Sequence, residues 1–113
     1  MSSGLGGMTA WLAQRISAVY LALFLVFFLL ALLFTGGWNY TEWRALMAQP
    51  AMITATLLFH ISLLLHAWVG VRDVIIDYVH PLPWRLAVLA AVGAALLALA
   101  FWGMLILVGL WYS

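Results

Sequence analysis

The chain has no cysteine, which excludes a disulfide scaffold and any thiolate-held zinc or iron–sulfur centre within it. Charge is nearly as scarce. Of 113 residues 6% are charged, the net charge is +1, and the cations form no cluster. Soluble domains carry about a quarter charged residues, so water is the wrong solvent for this chain and nucleic acid the wrong partner. Residues 1–8 are Ser- and Gly-rich and hold no Lys or Arg. They lack the positive segment of a cleaved signal peptide and are expected to form a flexible lead-in. No nucleophile–base pair, phosphate-binding loop or soluble-type metal motif is present, so the chain alone displays no chemistry.

What is abundant is apolar surface, at 69% of residues. A soluble core of this size could not hide it. Lipid can. A spanning helix needs about 20 mostly apolar residues at a rise of about 1.5 Å each. Three stretches qualify, over about 11–34, 51–79 and 84–111. Thr35-Gly36-Gly37 ends the first, and Asn39, Glu42 and Arg44 follow in a polar connection. Pro50 suits the first turn of the second helix, and Pro81 and Pro83 break it after Arg72, Asp73, Asp77 and His80. The expected fold is all-α: a single membrane domain, 1–113, of three transmembrane helices packed as a bundle.

Trp11, Trp38, Trp43, Trp84 and Trp111 fall at span ends, where amphipathic rings favour the headgroup region. Trp68 and Trp102 lie deeper and are expected to pack between helices. So are two small-residue stripes of the third helix, Ala87/Ala91/Ala95 and Ala90/Ala94/Ala98. Arg15, Arg72 and Arg85 share one side of the membrane, against Arg44 on the other. The positive-inside rule therefore puts the N-terminus in the cytoplasm and the C-terminus outside.

Ionisable groups within a span are costly. His60 and His66 both lie in the second helix, about 120° apart around its axis, so they cannot bind one metal together. Ser62, Gly70, Asp73 and Asp77 lie near the His66 face. The absent side chain of Gly70 would admit either a flat macrocycle or a neighbouring helix. His66 is then either a metal or haem ligand or a hydrogen-bonded helix contact. Nothing around His60 suggests a site. Arg15 either snorkels to the headgroups or pairs with a buried anion. Tyr78, at the boundary, is either a belt residue or a hydrogen-bond donor to a ligand carbonyl.

His66-Ala67-Trp68-Val69-Gly70, followed by Asp77-Tyr78-Val79 and Pro81, resembles the hydrophobic membrane anchor subunit of succinate dehydrogenase. Trp11-Leu12-Ala13-Gln14-Arg15-Ile16-Ser17-Ala18 is similar to that family's W-x-x-Q-R-x-[ST]-A segment. The resemblance implies that His66 is an axial ligand of haem b, with the second ligand supplied by a partner three-helix cytochrome b subunit. It implies that Arg15 meets a haem propionate and that Tyr78 hydrogen-bonds ubiquinone, with Asp77 beside it. A flavoprotein and an iron–sulfur subunit complete the implied complex, in a bacterial inner membrane with the C-terminus periplasmic. Some relatives carry a histidine before the first-helix arginine; the neighbourhood here is Met8-Thr9-Ala10, so that contact is absent or replaced. Two rival readings are a menaquinone-linked fumarate reductase anchor and a cofactor-free bundle or assembly protein.

Overall fold

The computed structural model describes residues 4–112 as four helices joined by short connections, with no strand among the described residues. Three of the helices, α1 (Gly4–Thr35), α3 (Pro50–Tyr78) and α4 (Leu82–Tyr112), are long and apolar enough to cross a membrane. The expected all-α class with three spans is what the chain adopts.

Each helix end has a local cause. At the end of α1, Gly36 and Gly37 take φ values of 75° and 102°. Their N–H groups reach back to Leu33 O at 3.3 Å and Leu32 O at 3.0 Å. This is a Schellman closure, which glycine adopts without the steric penalty of a Cβ. Pro50 opens α3, where its missing N–H costs nothing. α4 begins at Leu82, so Pro83 sits within its first turn, two residues ahead of the expected start.

Two expectations about segments need correcting. The lead-in does not extend to residue 8: residues 1–3 lie outside the described residues, but the chain is helical from Gly4. Gly7 and Ala10 border a crevice shared with Val69, Arg72 and Asp73 of α3, so small residues let α1 lie alongside α3 there. The polar connection, in turn, contains a short helix, α2 (Tyr40–Met47). Its start is a capping box: Asn39 Oδ1 accepts from Glu42 N at 2.8 Å, and Glu42 Oε2 accepts from Asn39 N at 3.2 Å.

α3 is the middle element, packing against α1 on one side and α4 on the other. The α1 seam uses Gln14, Ser17, Tyr20 and Phe24, and Phe28 continues this stripe to Trp38 in the connection. Tyr20 Oη donates to Ala55 O at 2.7 Å. Phe24 stacks on Phe59 at 4.6 Å between ring centroids, and Phe28 meets Trp38 edge-on at 5.4 Å. In the α4 seam, Trp68 lies over Gly93, where a Cβ would stand 3.7 Å from the indole.

Trp102 and the alanine stripes do not pack between the chain's own helices. Trp102 is 64% exposed, and all six stripe alanines face outward. The α3-facing side of α4 is instead the row Gly93, Leu96, Ala100 and Gly103, which turns the other positions away. Buried hydrophobic residues amount to Met47, Met52, Val69, Ile75 and Leu107 among the described residues. Nearly all apolar surface therefore faces outward, the reverse of a water-soluble fold.

Candidate functional site

His66 points into the α1–α3 seam. Its Nδ1 lies 3.3 Å from Ser17 Oγ, and that hydroxyl donates to Gln14 O at 3.0 Å. Ser17 is 6% exposed and is the buried polar residue of the described chain. A serine within a helix commonly returns its proton to the carbonyl one turn back. The other imidazole nitrogen, Nε2, makes no hydrogen bond among the described residues.

Gly70, one turn beyond His66, is occupied from the α1 side. A Cβ there would lie 3.5 Å from Gln14 Nε2, so the space serves the approach of α1 rather than an open slot beside the imidazole. Gln14 Oε1 is buried without a hydrogen-bond partner. Gln14, Trp11, Arg72 and Asp73 also line the crevice at this end of the seam. The α1 start and the α3 end thus lie together, which puts Arg15, Arg72 and Arg85 at one end of the molecule.

Arg15 stands about 200° around α1 from Ser17, on the flank away from α3. Its guanidinium carbon lies 5.2 Å above the Trp11 ring. It has no ion-pair partner among the described residues. The structure does not bring Arg15 and His66 together on one face.

Tyr78 closes α3. It is 79% exposed, and its hydroxyl makes no hydrogen bond among the described residues. Asp77 is exposed beside it. Just beyond, Arg85 Nη2 donates to His80 Nδ1 at 2.9 Å, and Arg85 Nε to Val79 O at 3.3 Å. A guanidinium only donates, so His80 Nδ1 accepts and its Nε2–H is directed to Asp77 O at 3.3 Å. These bonds tie the α3–α4 turn to the end of α3, where Asp77 and Tyr78 lie. Arg72 and Asp73 pair at 3.0 Å, 35% and 59% exposed, the solvated ion pair expected at a helix end.

His60 faces the opposite seam from His66, as the angle between them requires. Its Nε2 lies 2.9 Å from Leu99 O, and its ring rests on Gly103, where a Cβ would come within 2.6 Å of Cε1. It ties α3 to α4. Sequence reasoning named Ser17, Gln14, His80 and Arg85 but gave none of them a role at the site. The polar pair Gln14 and Ser17, three residues apart on an otherwise apolar helix, was the available signal.

No cluster of three or more His, Cys, Asp or Glu able to hold a metal occurs among the described residues. His66 and His60 each have one ring nitrogen held and the other without a hydrogen bond among the described residues, but the His60 ring is pressed against Gly103 of α4. A single available imidazole nitrogen of this kind fits a group such as haem, whose iron needs only one ligand from this chain, better than an all-protein metal site.

A family model described as succinate dehydrogenase/fumarate reductase transmembrane subunit matches residues 5–108. The chain is also 34% identical over 96 residues to the succinate dehydrogenase hydrophobic membrane anchor subunit of Coxiella burnetii, across 85% of this chain and 84% of that one. The likeness therefore runs through all three spans and both candidate segments. With three membrane-crossing helices and a match along nearly its whole length, the chain is a multi-pass membrane protein belonging to the succinate dehydrogenase/fumarate reductase transmembrane subunit family.

Proposed function

We propose that this chain is the small anchor subunit of a succinate:ubiquinone oxidoreductase. In that complex it holds one side of a haem b and one wall of the quinone site. The observation that most supports this is His66: an imidazole within a span, one nitrogen held by Ser17 and the other unpartnered, in a chain of this family. The relative from Coxiella burnetii favours the succinate dehydrogenase direction. The family's description also covers fumarate reductases, so a menaquinone-linked anchor is the second reading. Quinone extraction and redox titration of the complex separate the two.

In the proposed assembly His66 Nε2 would hold the haem iron from this chain, and a partner cytochrome b subunit would supply the other protein ligand. A bound haem b supplies a one-electron redox centre within the bilayer. The assignment of Arg15 to a propionate rests on the resemblance, since its side chain stands on the outer flank of α1. An unpaired arginine there is available to an anion contributed from outside this chain.

Tyr78 lies twelve residues past His66, about 18 Å along the helix. That separation supports a quinone position near the cytoplasmic surface, where an iron–sulfur subunit and its flavoprotein would dock. The exposed Tyr78 hydroxyl donates to a quinone carbonyl and stabilises negative charge as it develops on that oxygen. Asp77, exposed to solvent beside it, offers a carboxylate through which a proton reaches the site. The Arg85–His80 and His80–Asp77 bonds tie down the backbone beside Tyr78, which supports a fixed base from which its hydroxyl reaches the quinone.

The test is Tyr78→Phe in the purified complex. The ratio of quinone-linked to dye-linked succinate oxidation should fall by about 10-fold or more, the scale of a lost transition-state hydrogen bond. An unchanged ratio refutes the assignment. The proposed setting is a bacterial inner membrane with the N-terminus cytoplasmic, which the three arginines at that end support.

A further inference from the structure

We infer that Ser17 is the positioning residue for His66: it fixes the tautomer in which Nδ1 carries the proton and Nε2 is left free to bind iron. This rests on the reading of His66 as a haem ligand and adds to it a residue on a different helix.

The argument counts hydrogens. The Ser17 hydroxyl has one proton, and two acceptors compete for it: Gln14 O at 3.0 Å and His66 Nδ1 at 3.3 Å. Suppose it went to Nδ1. His66 would then carry its proton on Nε2, which makes no hydrogen bond with the described residues, and that N–H would lack an acceptor within the apolar span. If instead the proton goes to Gln14 O, the Ser17 oxygen accepts from His66 Nδ1–H and both protons are satisfied. Only this arrangement leaves no orphan donor. It is also the arrangement a metal requires, because the ligating nitrogen must be unprotonated. Metal-bound histidines usually depend on such an acceptor for the distal N–H.

The contact fixes geometry as well. Ser17 and His66 lie 49 residues apart in sequence, so the bond joins two helices. With Nδ1 held on α1, the partly exposed His66 keeps Nε2 without a partner among the described residues.

The experiment uses the whole purified complex with Ser17→Ala, Ser17→Thr, Ser17→Val and His66→Ala. It reads the reduced-minus-oxidised haem spectrum per flavin, haem retention on dilution, and the midpoint potential. Ser17→Ala should weaken haem retention by about 10- to 100-fold. It should also raise the midpoint potential, because an imidazole whose Nδ1–H lacks an acceptor donates less electron density to ferric iron. Ser17→Thr should restore both, while Ser17→Val, of the same shape without the hydroxyl, should behave as alanine does. A purely packing role would not separate Thr from Val. If the alanine variant fails to assemble, the Thr and Val pair decides by itself. Wild-type retention and potential in Ser17→Val, alongside haem lost in His66→Ala, overturn the inference. Haem signal indifferent to His66→Ala overturns instead the ligand reading beneath it.

Discussion

Replacing Gly103 by alanine should unlatch α4 from α3. A Cβ at 103 would stand 2.6 Å from His60 Cε1 and 2.8 Å from Cδ2, well inside van der Waals contact. The ring cannot slide aside, because its Nε2 is held 2.9 Å from Leu99 O, one turn away on the same face of α4. The cheaper escape is to swing the imidazole out of the seam. That forfeits an interhelical hydrogen bond worth about 0.6–1.7 kcal/mol in a membrane. It also loses ring packing on the order of 1 kcal/mol, while removing a glycine from a helix interior returns about 0.5–1 kcal/mol. The net expectation is a destabilisation of about 1–2 kcal/mol. In a His60→Ala background the ring is gone, so the same change should stabilise by about 0.5–1 kcal/mol. Unfolding of the purified complex in mixed micelles, run as a double-mutant cycle, should therefore give a sign reversal and a coupling of about 1.5–3 kcal/mol. If Gly103→Ala costs the same with and without His60, the latch does not exist and the reasoning fails.

Three further expectations can be measured in the same system. Gly93→Ala should be tolerated or stabilise by up to about 1 kcal/mol, since its Cβ would meet Trp68 at an ordinary 3.7 Å; a loss of stability would show that the indole cannot give. Tyr20→Phe should cost about 0.6–1.7 kcal/mol by removing the donor to Ala55 O, read as a lowered unfolding midpoint with haem content unchanged. Asn39→Ala should cost about 1 kcal/mol and speed amide exchange across 40–47 alone, because the capping box serves α2; faster exchange in α1 or α3 would contradict so local a role.

Hydropathy sufficed for the three spans and glycine and proline for their ends, because lipid imposes length and composition directly on a sequence. Which faces meet was another matter. α1 and α4 are apolar nearly all round, so no amphipathic stripe marks the inner side. Trp102 and the alanine rows could be read as interior only by residue type, and both face outward. Gly103 is legible as a glycine, but its purpose depends on a histidine 43 positions earlier in another helix. The candidate site divided in the same way. His66, Tyr78 and Asp77 stood out because ionisable and aromatic groups are conspicuous in or beside a span. Ser17, an ordinary small residue in a helix, acquires meaning only from the register of α1 against α3. The capping box of α2 was a true omission, since Asn39 and Glu42 stood at the required spacing.

The placement of α3 between its neighbours also sets a schedule for synthesis. When α1 enters the bilayer it has no neighbour from this chain, for Ala55 and His66 are still to be made. At about 5–20 residues per second, the 49 residues from Ser17 to His66 take about 2–10 s to synthesise. During that wait Ser17 is already content, its proton turned back onto Gln14 O. Tyr20, whose partner comes from α3, is not. Until Ala55 emerges, its hydroxyl lacks the partner it has in the finished fold. The arrival of α3 supplies the partners of both α1 and α4, so that this small protein is joined from the middle outward although it is made from one end.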